Sequence, residues 1–205
     1  MTVRSSLLVI AALAALWLAM LLLGTGNVDR DILLALYAGD EPWLALVSIG
    51  ISYLGTWPTV VAVTLLGALW LSHRGQRWEA LLLLIASFSG RVLVILAKAY
   101  FARLRPEEHL RLVEVHYESF PSGHSANSMI VYLGLAMLAF DDARQRKRAI
   151  AGALFLTFLI GLSRPILGVH WPSDVIGGWS FGALWLLLVL TLGEKWKPVR
   201  ANPRR

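Results

Sequence analysis

Three short stretches of the sequence combine cations, histidines and a carboxylate at spacings suited to phosphate chemistry. They read "KAYFARLRP" at 98–106, "PSGH" at 121–124 and "SRPILGVHWPSD" at 163–174. A phosphate monoester carries about −1.5 to −2 charges at pH 7, which cations can neutralise. Histidines titrate near neutral pH and can move the protons of its hydrolysis. The stretches therefore predict a phosphate site with acid–base chemistry.

Each phosphate-binding position has a physical reason for its predicted role. Lys98, Arg105 and Arg164 are expected to bind the substrate phosphate and to stabilise charge on the oxygens of the transferring group. Ser122 and Gly123 are expected to open a helix, where free backbone N–H groups attract an anion. Glycine lets the backbone approach phosphate closely, and the serine can donate its hydroxyl.

The two motif histidines are expected to divide the proton transfers. His170 would attack phosphorus as a neutral imidazole and form a phosphohistidine, while Asp174 accepts the proton of its other ring nitrogen and fixes the tautomer. His124 would give a proton to the leaving oxygen and then act as the base on water. The scheme requires no metal or other cofactor, and the sequence offers no obvious further ligand cluster.

The rest of the chain is strongly apolar. Its 205 residues are 57% hydrophobic and 16% charged, with a mean hydropathy of +0.64, whereas a soluble domain is about a quarter charged. Six segments can span a bilayer once interfacial flanks are added, namely residues 5–23, 57–72, 78–102, 126–140, 150–167 and 175–192. The sequence predicts an all-α polytopic membrane bundle of six transmembrane helices, a single membrane domain over residues 1–205.

The first apolar segment raises the alternative of a signal peptide. Its run from Leu7 to Leu23 is longer than the roughly 7–15 residues of a typical signal-peptide core. This length favours an uncleaved helix.

The distribution of basic residues predicts the topology. Lys and Arg concentrate at residue 4, at 74–77, at 144–148 and from 195 onward, whereas the acids occupy the intervening connections. By the positive-inside rule both termini are cytoplasmic and the three motif stretches lie outside. The net charge of +6 is then a topology signal, and no nucleic-acid partner is expected. We expect an inner (plasma) membrane protein whose site faces the periplasm or outside; its oligomeric state is left open.

Two smaller regions complete this topology. Residues 24–56 are expected to form an interfacial segment on the outer face, and residues 197–205 a basic cytoplasmic tail. A surface helix over 29–38 would place three apolar side chains in lipid, those of Ile32, Leu33 and Leu36. A second helix is predicted to start at Pro42, and whether 42–54 is interfacial or leads into the second span is left open.

Three arginines are not explained by this topology. Arg103 and Arg111 lie on the outer face, where the positive-inside rule gives no reason for them. Arg91 lies inside the third span, seven residues before Lys98, so both fall near one helical stripe. A cation near the bilayer centre costs about 2.5–3.5 kcal/mol, and no carboxylate of another span lies at an obvious matching depth. The partner of Arg91 is left open.

The three stretches resemble the three-part signature of the type 2 phosphatidic acid phosphatase (PAP2) superfamily. The pattern Lys-x6-Arg-Pro, Pro-Ser-Gly-His and Ser-Arg-x5-His-x3-Asp is matched at every fixed position. This family includes lipid phosphate phosphatases and bacterial undecaprenyl-diphosphate phosphatases, and the six predicted spans also resemble its membrane members. The resemblance implies a PAP2-like core over about residues 57–196 and a phosphatase that acts on a lipid phosphate.

The substrate expected from this resemblance is undecaprenyl diphosphate or phosphatidylglycerophosphate, because short outer connections suggest a shallow site open to lipid. Phosphatidic acid and lipid A phosphate fit the same description. Intramembrane cations can also mark an ion path, but a transporter needs polar residues that continue across the bilayer, and few lie beneath Lys98. A lipid-phosphate binder without turnover is a further alternative, against which the complete set of catalytic positions argues.

Overall fold

A computed structural model describes residues 3–197, with side-chain surroundings from residue 7 onward. Regular structure in this range is entirely helical, so the predicted all-α class is confirmed. The elements are α1 (Val3–Leu23), α2 (Asn27–Leu36), α3 (Pro42–Tyr53), α4 (Trp57–His73), α5 (Arg77–Phe101), a 3-10 helix (Glu108–Leu110), α6 (Gly123–Ser128), a π-helical turn (Met129–Leu133), α7 (Gly134–Leu138), α8 (Ala143–Ile166) and α9 (Pro172–Lys195). The side chain of Arg4 and the tail from residue 198, both used above to predict sidedness, lie outside the described part of the chain.

Three of these helices, α5, α8 and α9, are each long and apolar enough to cross a membrane. Two bent pairs pass the same test when taken together: Leu7–Leu23 with α2, bent by 95°, and α3 with α4, bent by 41°. The described residues thus contain three candidate spans, or up to five if each bent pair is one span, and the predicted count of six is not confirmed. The predicted fourth span corresponds to α6, the π-helical turn and α7, which rise only about 24 Å in all, less than the roughly 30 Å hydrocarbon core.

The segment between α2 and α4 favours one of the two alternatives left open by the sequence. Helix α3 begins at Pro42, as predicted, and packs against α8. Its buried polar side chains are Ser48 and Ser52. Helices α3 and α4 together are long and apolar enough for one span, with a bend of 41° between them, which fits a kinked lead-in to α4.

Helix α2 differs from the predicted lipid-facing helix. The side chain of Leu33 is fully buried and packs with Leu110 and Trp171, while Ile32 is exposed. The prediction for Leu33 is wrong because the connection that contains the 3-10 helix folds over it. Trp171 is buried in the same cluster, and its indole N–H donates to the Leu104 carbonyl at 2.9 Å.

Close packing of α6 on α9 positions the second motif stretch. A Cβ at Gly178 would lie 2.6 Å from the Ser122 carbonyl oxygen, and one at Gly182 would lie 2.6 Å from the Ala126 carbonyl oxygen. The two backbones therefore approach each other as only glycine permits. The Ser122 N–H also donates to the Asp174 carbonyl at 2.9 Å. Glycines of α9 thus place residues 122–124 beside the first turn of α9.

The bundle has two chemically distinct ends. The motif stretches meet at the end formed by the C-termini of α5 and α8 and the N-termini of α6 and α9, here termed the site end. At the other end, Lys197 pairs with Glu79 at 2.8 Å and Arg74 donates to the Ala139 carbonyl. This separation agrees with the charge alternation used to predict the topology. Which end faces outside stays a prediction.

Candidate active site

His170 lies in the loop between α8 and α9 and is only 2% exposed. Its Nδ1 is 3.2 Å from Asp174 Oδ2, and its Nε2 is 3.2 Å from Arg105 Nη1. A carboxylate accepts a hydrogen bond and a guanidinium donates one, so these partners assign the N–H to Nδ1 and the lone pair to Nε2. Nε2 is therefore the ring nitrogen able to act as a nucleophile.

Asp174 occupies the first turn of α9, which begins at Pro172 as predicted. Its Oδ2 accepts hydrogen bonds from the backbone N–H of Trp171 at 2.9 Å and from the hydroxyl of Ser119. Its Oδ1 accepts from Arg103 Nη1 at 3.0 Å. These donors fix the carboxylate, and through it the orientation of the His170 ring.

The protonation of His170 follows from its surroundings. Burial lowers the pKa of its imidazole well below the usual 6.5, and the nearby charges of Arg105, Lys98 and Arg164 lower it further. Both effects disfavour the charged form. The ring is therefore neutral at pH 7, the state that nucleophilic attack requires.

Lys98 lies at the end of α5 and is 8% exposed. Its Nζ donates to the backbone carbonyls of Glu118 at 2.6 Å and Ser119 at 3.0 Å. Carbonyl oxygens hold the ammonium in place without neutralising its charge. Lys98 is thus held next to the loop that carries Ser119, where a phosphate that enters the site would favour its charged form.

Arg105 reaches back toward His170 from the loop after α5. It donates to the carbonyls of Tyr117 at 2.5 Å and Val169 at 2.6 Å, besides its contact with the imidazole. Burial lowers the pKa of its guanidinium to about 10, an effect that the charge of Asp174 partly offsets. Arg105 therefore stays cationic at pH 7.

Arg164 is buried in the last turn of α8. Its Nη1 donates to the hydroxyl of Ser52 in α3, whereas its Nε is buried without a hydrogen-bond partner among the described residues. A buried guanidinium with an unused N–H is suited to an anion that enters the site.

Residues 122–124 form the remaining wall. The Ser122 hydroxyl is buried and has no partner within residues 7–197. A Cβ at Gly123 would lie 4.0 Å from Lys98 Cε, so this backbone runs beside the lysine. His124 is half-buried, and its ring edge adjoins the corner between α3 and α4, where a Cβ at Gly55 would lie 3.0 Å from His124 Cδ2.

The structure brings the predicted site residues together at the site end: Lys98, Arg105, Ser122, Gly123, His124, Arg164, His170 and Asp174. The individual roles assigned to them stay predictions. Sequence reasoning missed three side chains that hold this set, Arg103, Ser119 and Ser52. There was a reason in the sequence to expect a role for Arg103, because its charge on the predicted outer face was unexplained. There was no such reason for the two serines.

Positive charge exceeds negative charge around the site. Four basic side chains, Lys98, Arg103, Arg105 and Arg164, outnumber the two carboxylates that act on them, those of Asp174 and Glu118. Burying unpaired charge is costly, so an anion is needed to balance the excess. In the part of the chain that the structure describes, no group of three or more His, Asp or Glu side chains could hold a metal ion.

Comparison with known proteins identifies the family of this site. A family model for the PAP2 superfamily matches residues 78–198, which include all three motif stretches. The chain belongs to the PAP2 superfamily. This confirms the resemblance inferred from the motifs.

Curated relatives of this PAP2 protein are phosphatases. Phosphatidylglycerophosphatase B of Bacillus subtilis (strain 168) is 34% identical over 165 residues, which cover 78% of this chain and 80% of that protein. Lipid A 1-phosphatase of Rhizobium johnstonii is 34% identical over 162 residues, covering 73% of this chain and 62% of that protein. Undecaprenyl-diphosphatase of Sulfolobus acidocaldarius is 32% identical over 139 residues, covering 65% and 64%. The predicted enzyme class, a lipid phosphate hydrolase, is thereby confirmed.

Solved structures agree with the fold. The crystal structure of a transmembrane PAP2 type phosphatidylglycerolphosphate phosphatase from Bacillus subtilis superposes with a TM-score of 0.84 at 30% identity, covering 93% of this chain and 98% of that one. LpxE of Aquifex aeolicus, at 21% identity, shares the fold with a TM-score of 0.66, covering 82% and 98%. The helices of this chain therefore form an integral membrane PAP2 fold.

Proposed function

We propose that this PAP2 protein hydrolyses a lipid phosphate or diphosphate at the outer face of the inner membrane through a phosphohistidine intermediate. The observation that supports this most directly is the arrangement around His170. Its Nδ1 faces Asp174, its Nε2 carries the lone pair, and the cations Lys98, Arg105 and Arg164 surround the space beside it.

The first step forms the intermediate. Nε2 of His170 attacks phosphorus, a P–N bond forms, and the bond between phosphorus and the lipid-side oxygen breaks. That oxygen takes a proton from His124. Burial and the charges of Arg164, Arg105 and Lys98 lower the pKa of the His124 imidazole well below 6.5, so this step requires the bound phosphate anion to balance those charges and favour protonated His124. Asp174 accepts a hydrogen bond from Nδ1–H and stabilises the positive charge that develops on the ring. The three cations, with the backbone at Gly123 and the hydroxyl of Ser122, stabilise the oxygens of the transferring group.

The second step regenerates the enzyme. His124, now neutral, accepts a proton from a water molecule whose oxygen attacks phosphorus. The P–N bond breaks, its electron pair returns to Nε2 of His170, and inorganic phosphate leaves. His124 is then protonated for the next turnover.

The proposed substrate is undecaprenyl diphosphate or phosphatidylglycerophosphate. The names of two relatives support it, phosphatidylglycerophosphatase B and undecaprenyl-diphosphatase. The lipid A 1-phosphatases among the relatives make a lipid A phosphate an alternative, and phosphatidic acid is another within the same family.

Phosphate release by the purified protein in detergent tests the proposal. We expect release from one or more of phosphatidylglycerophosphate, undecaprenyl diphosphate, phosphatidic acid and lipid A, unchanged by EDTA, and a loss of at least about 10³-fold in His170→Ala. His109→Ala, which changes an exposed histidine of the 3-10 helix, is the matched control and should retain activity. Full activity of His170→Ala would exclude the nucleophile, and loss of activity with EDTA would exclude the metal-free scheme. Binding of these lipids without release would indicate a non-catalytic binder.

A further inference from the structure

Arg91 is a cation that the proposed reaction does not use. It belongs to α5, about 10.5 Å along the helix axis from Lys98. Its guanidinium lies over the ring of Trp57, 3.9 Å from the ring centroid. Among the described residues no carboxylate lies within ion-pair distance of it. The stacking explains how the side chain is held but leaves its charge unbalanced.

The position of Trp57 brings this charge close to His124. Trp57 is the first residue of α4 and follows Gly55 by two residues, and Gly55 adjoins the imidazole of His124. Arg91 therefore points toward the site end and lies on the His124 side of the site.

The N-terminus of α4 adds to the positive potential there. Thr56 precedes the helix without a side-chain hydrogen bond to its free N–H groups, and the helix dipole places partial positive charge at that end. The Arg91 guanidinium is held on the side chain of the first residue of this helix, so its charge adds to the partial positive charge of the helix end. This combination suits a bound anion.

In the proposed reaction, the part of the substrate that lies near Arg91 is the leaving group. His124 gives its proton to the leaving oxygen, so the leaving group lies on the His124 side of the cleaved phosphate. In a lipid diphosphate, and in phosphatidylglycerophosphate, the leaving group carries a second phosphate before the hydrocarbon part begins. In phosphatidic acid it carries none.

We propose that Arg91, supported by Trp57 and the N-terminus of α4, binds a second phosphate that remains on the lipid product, and so selects two-phosphate lipids over single-phosphate lipids. This inference rests on the proposed function, because it uses His124 as the group that marks the leaving side. It adds a subsite that lies apart from the groups that bind the cleaved phosphate.

The test compares substrates matched in their hydrocarbon parts. The pairs are phosphatidylglycerophosphate with phosphatidic acid, and farnesyl diphosphate with farnesyl monophosphate. In Arg91→Gln, kcat/KM for the two-phosphate member should fall about 10- to 100-fold relative to its single-phosphate partner, the loss expected for a charge-assisted hydrogen bond. The change should appear mainly in KM, and Arg91→Lys should retain part of the preference.

Arg74→Gln is the matched control. Arg74 also stacks on a tryptophan of α4, 4.8 Å from the centroid of Trp70, but at the opposite end of the helix. The Arg74→Gln substitution should leave kcat/KM unchanged for both members of each substrate pair. Equal losses for both members in Arg91→Gln would show a structural role and overturn the inference, as would no change for either. If only one of the two pairs shows the effect, that pair identifies the class of lipid recognised.

A binding measurement separates this inference from the proposed function. Methylenediphosphonate should raise the melting temperature of the wild-type protein in detergent more than inorganic phosphate does, and Arg91→Gln should lose this difference while Arg74→Gln keeps it. The measurement needs no turnover. If the wild-type protein shows this binding difference but releases no phosphate, the proposed function is rejected and the subsite stands. If it releases phosphate but shows no binding difference, the subsite is rejected and the proposed function stands.

Discussion

At the scale of single residues, the carboxylate of Asp174 is the point where three parts of the chain meet. Arg103 and Ser119 reach it from the connection between α5 and α6, and His170 reaches it from the loop before α9. Arg103 also donates to the carbonyls of Met20 and Leu21 at the end of α1. Asp174 therefore orients His170 and ties the end of α1 to the site.

Replacing Asp174 by Asn tests its effect on the tautomer of His170. An amide of the same shape no longer favours the proton on Nδ1, and it does not stabilise the positive charge that develops on the ring. We therefore expect kcat to fall about 10³- to 10⁴-fold, as when the aspartate of a hydrolytic triad becomes asparagine. Ser119→Ala removes one of the donors to the carboxylate and should cost about 10-fold. Steady-state kinetics of phosphate release would measure both.

The control for Asp174→Asn is Asp31→Asn, which changes an exposed carboxylate of α2 at the same end of the bundle. It should leave kcat unchanged. A loss of less than about 10-fold in Asp174→Asn, with the protein still folded, would contradict the role assigned to Asp174.

At the scale of elements, the site depends on how closely α6 lies against α9. The backbone of residues 122–126 occupies the space that side chains at Gly178 and Gly182 would need. The same contact places Gly123 beside Lys98 and Ser122 beside Asp174. Helix packing distance, and not the motif alone, therefore determines whether the phosphate-binding backbone and the histidine pair face one another.

Gly178→Ala tests this packing. The added Cβ would lie 2.6 Å from the Ser122 carbonyl and 3.2 Å from the Ala126 nitrogen, both backbone atoms that cannot rotate away. We expect a loss of about 1–3 kcal/mol of stability from overpacking and at least about 10-fold lower activity, measured by thermal melting and phosphate release in detergent.

Gly152→Ala is the comparison for this substitution. A Cβ at Gly152 in α8 meets nothing within 4 Å, and alanine favours a helix interior over glycine by roughly 1 kcal/mol. This variant should be as active as the wild type and equally or more stable. Equal behaviour of the two variants would show that the approach of α6 to α9 does not position the site.

At the scale of the whole molecule, the bundle separates its charges between two ends. Asp29 in α2 accepts hydrogen bonds from the backbone and hydroxyl of Ser173, which fastens the bend after α1 across the site end. The cluster of Leu33, Leu110 and Trp171 covers the same end. The opposite end carries the three arginines and one lysine of residues 144–148. We therefore predict that the site end faces outside.

The absence of cysteine from the sequence makes this orientation directly measurable. Single cysteines placed by Glu114→Cys, in the connection at the site end, and by Gln145→Cys, at the opposite end, both replace exposed residues. A membrane-impermeant maleimide should label the first in intact cells and the second only after permeabilisation. The reverse pattern would place the site in the cytoplasm and contradict the predicted topology.

Much of the site could be predicted from the sequence because its determinants are local. Residue spacing gives the three motif stretches, Pro42 and Pro172 mark helix starts, and the alternation of charge between connections places the stretches at one end. These features depend only on residues that are close in the sequence, so they can be recognised without the tertiary structure. The number of spans was less well predicted, because apolar length does not reveal where a helix bends or is interrupted.

The partners of the buried charges were decided by the tertiary structure. Arg103 meets Asp174 and Arg164 meets Ser52 across large sequence separations, and Arg91 finds an aromatic ring in α4 where the sequence suggested no partner. Leu33 is buried because the 3-10 connection covers it. Such contacts depend on which helices pack together and at what distance, and no local pattern of residue types specifies that.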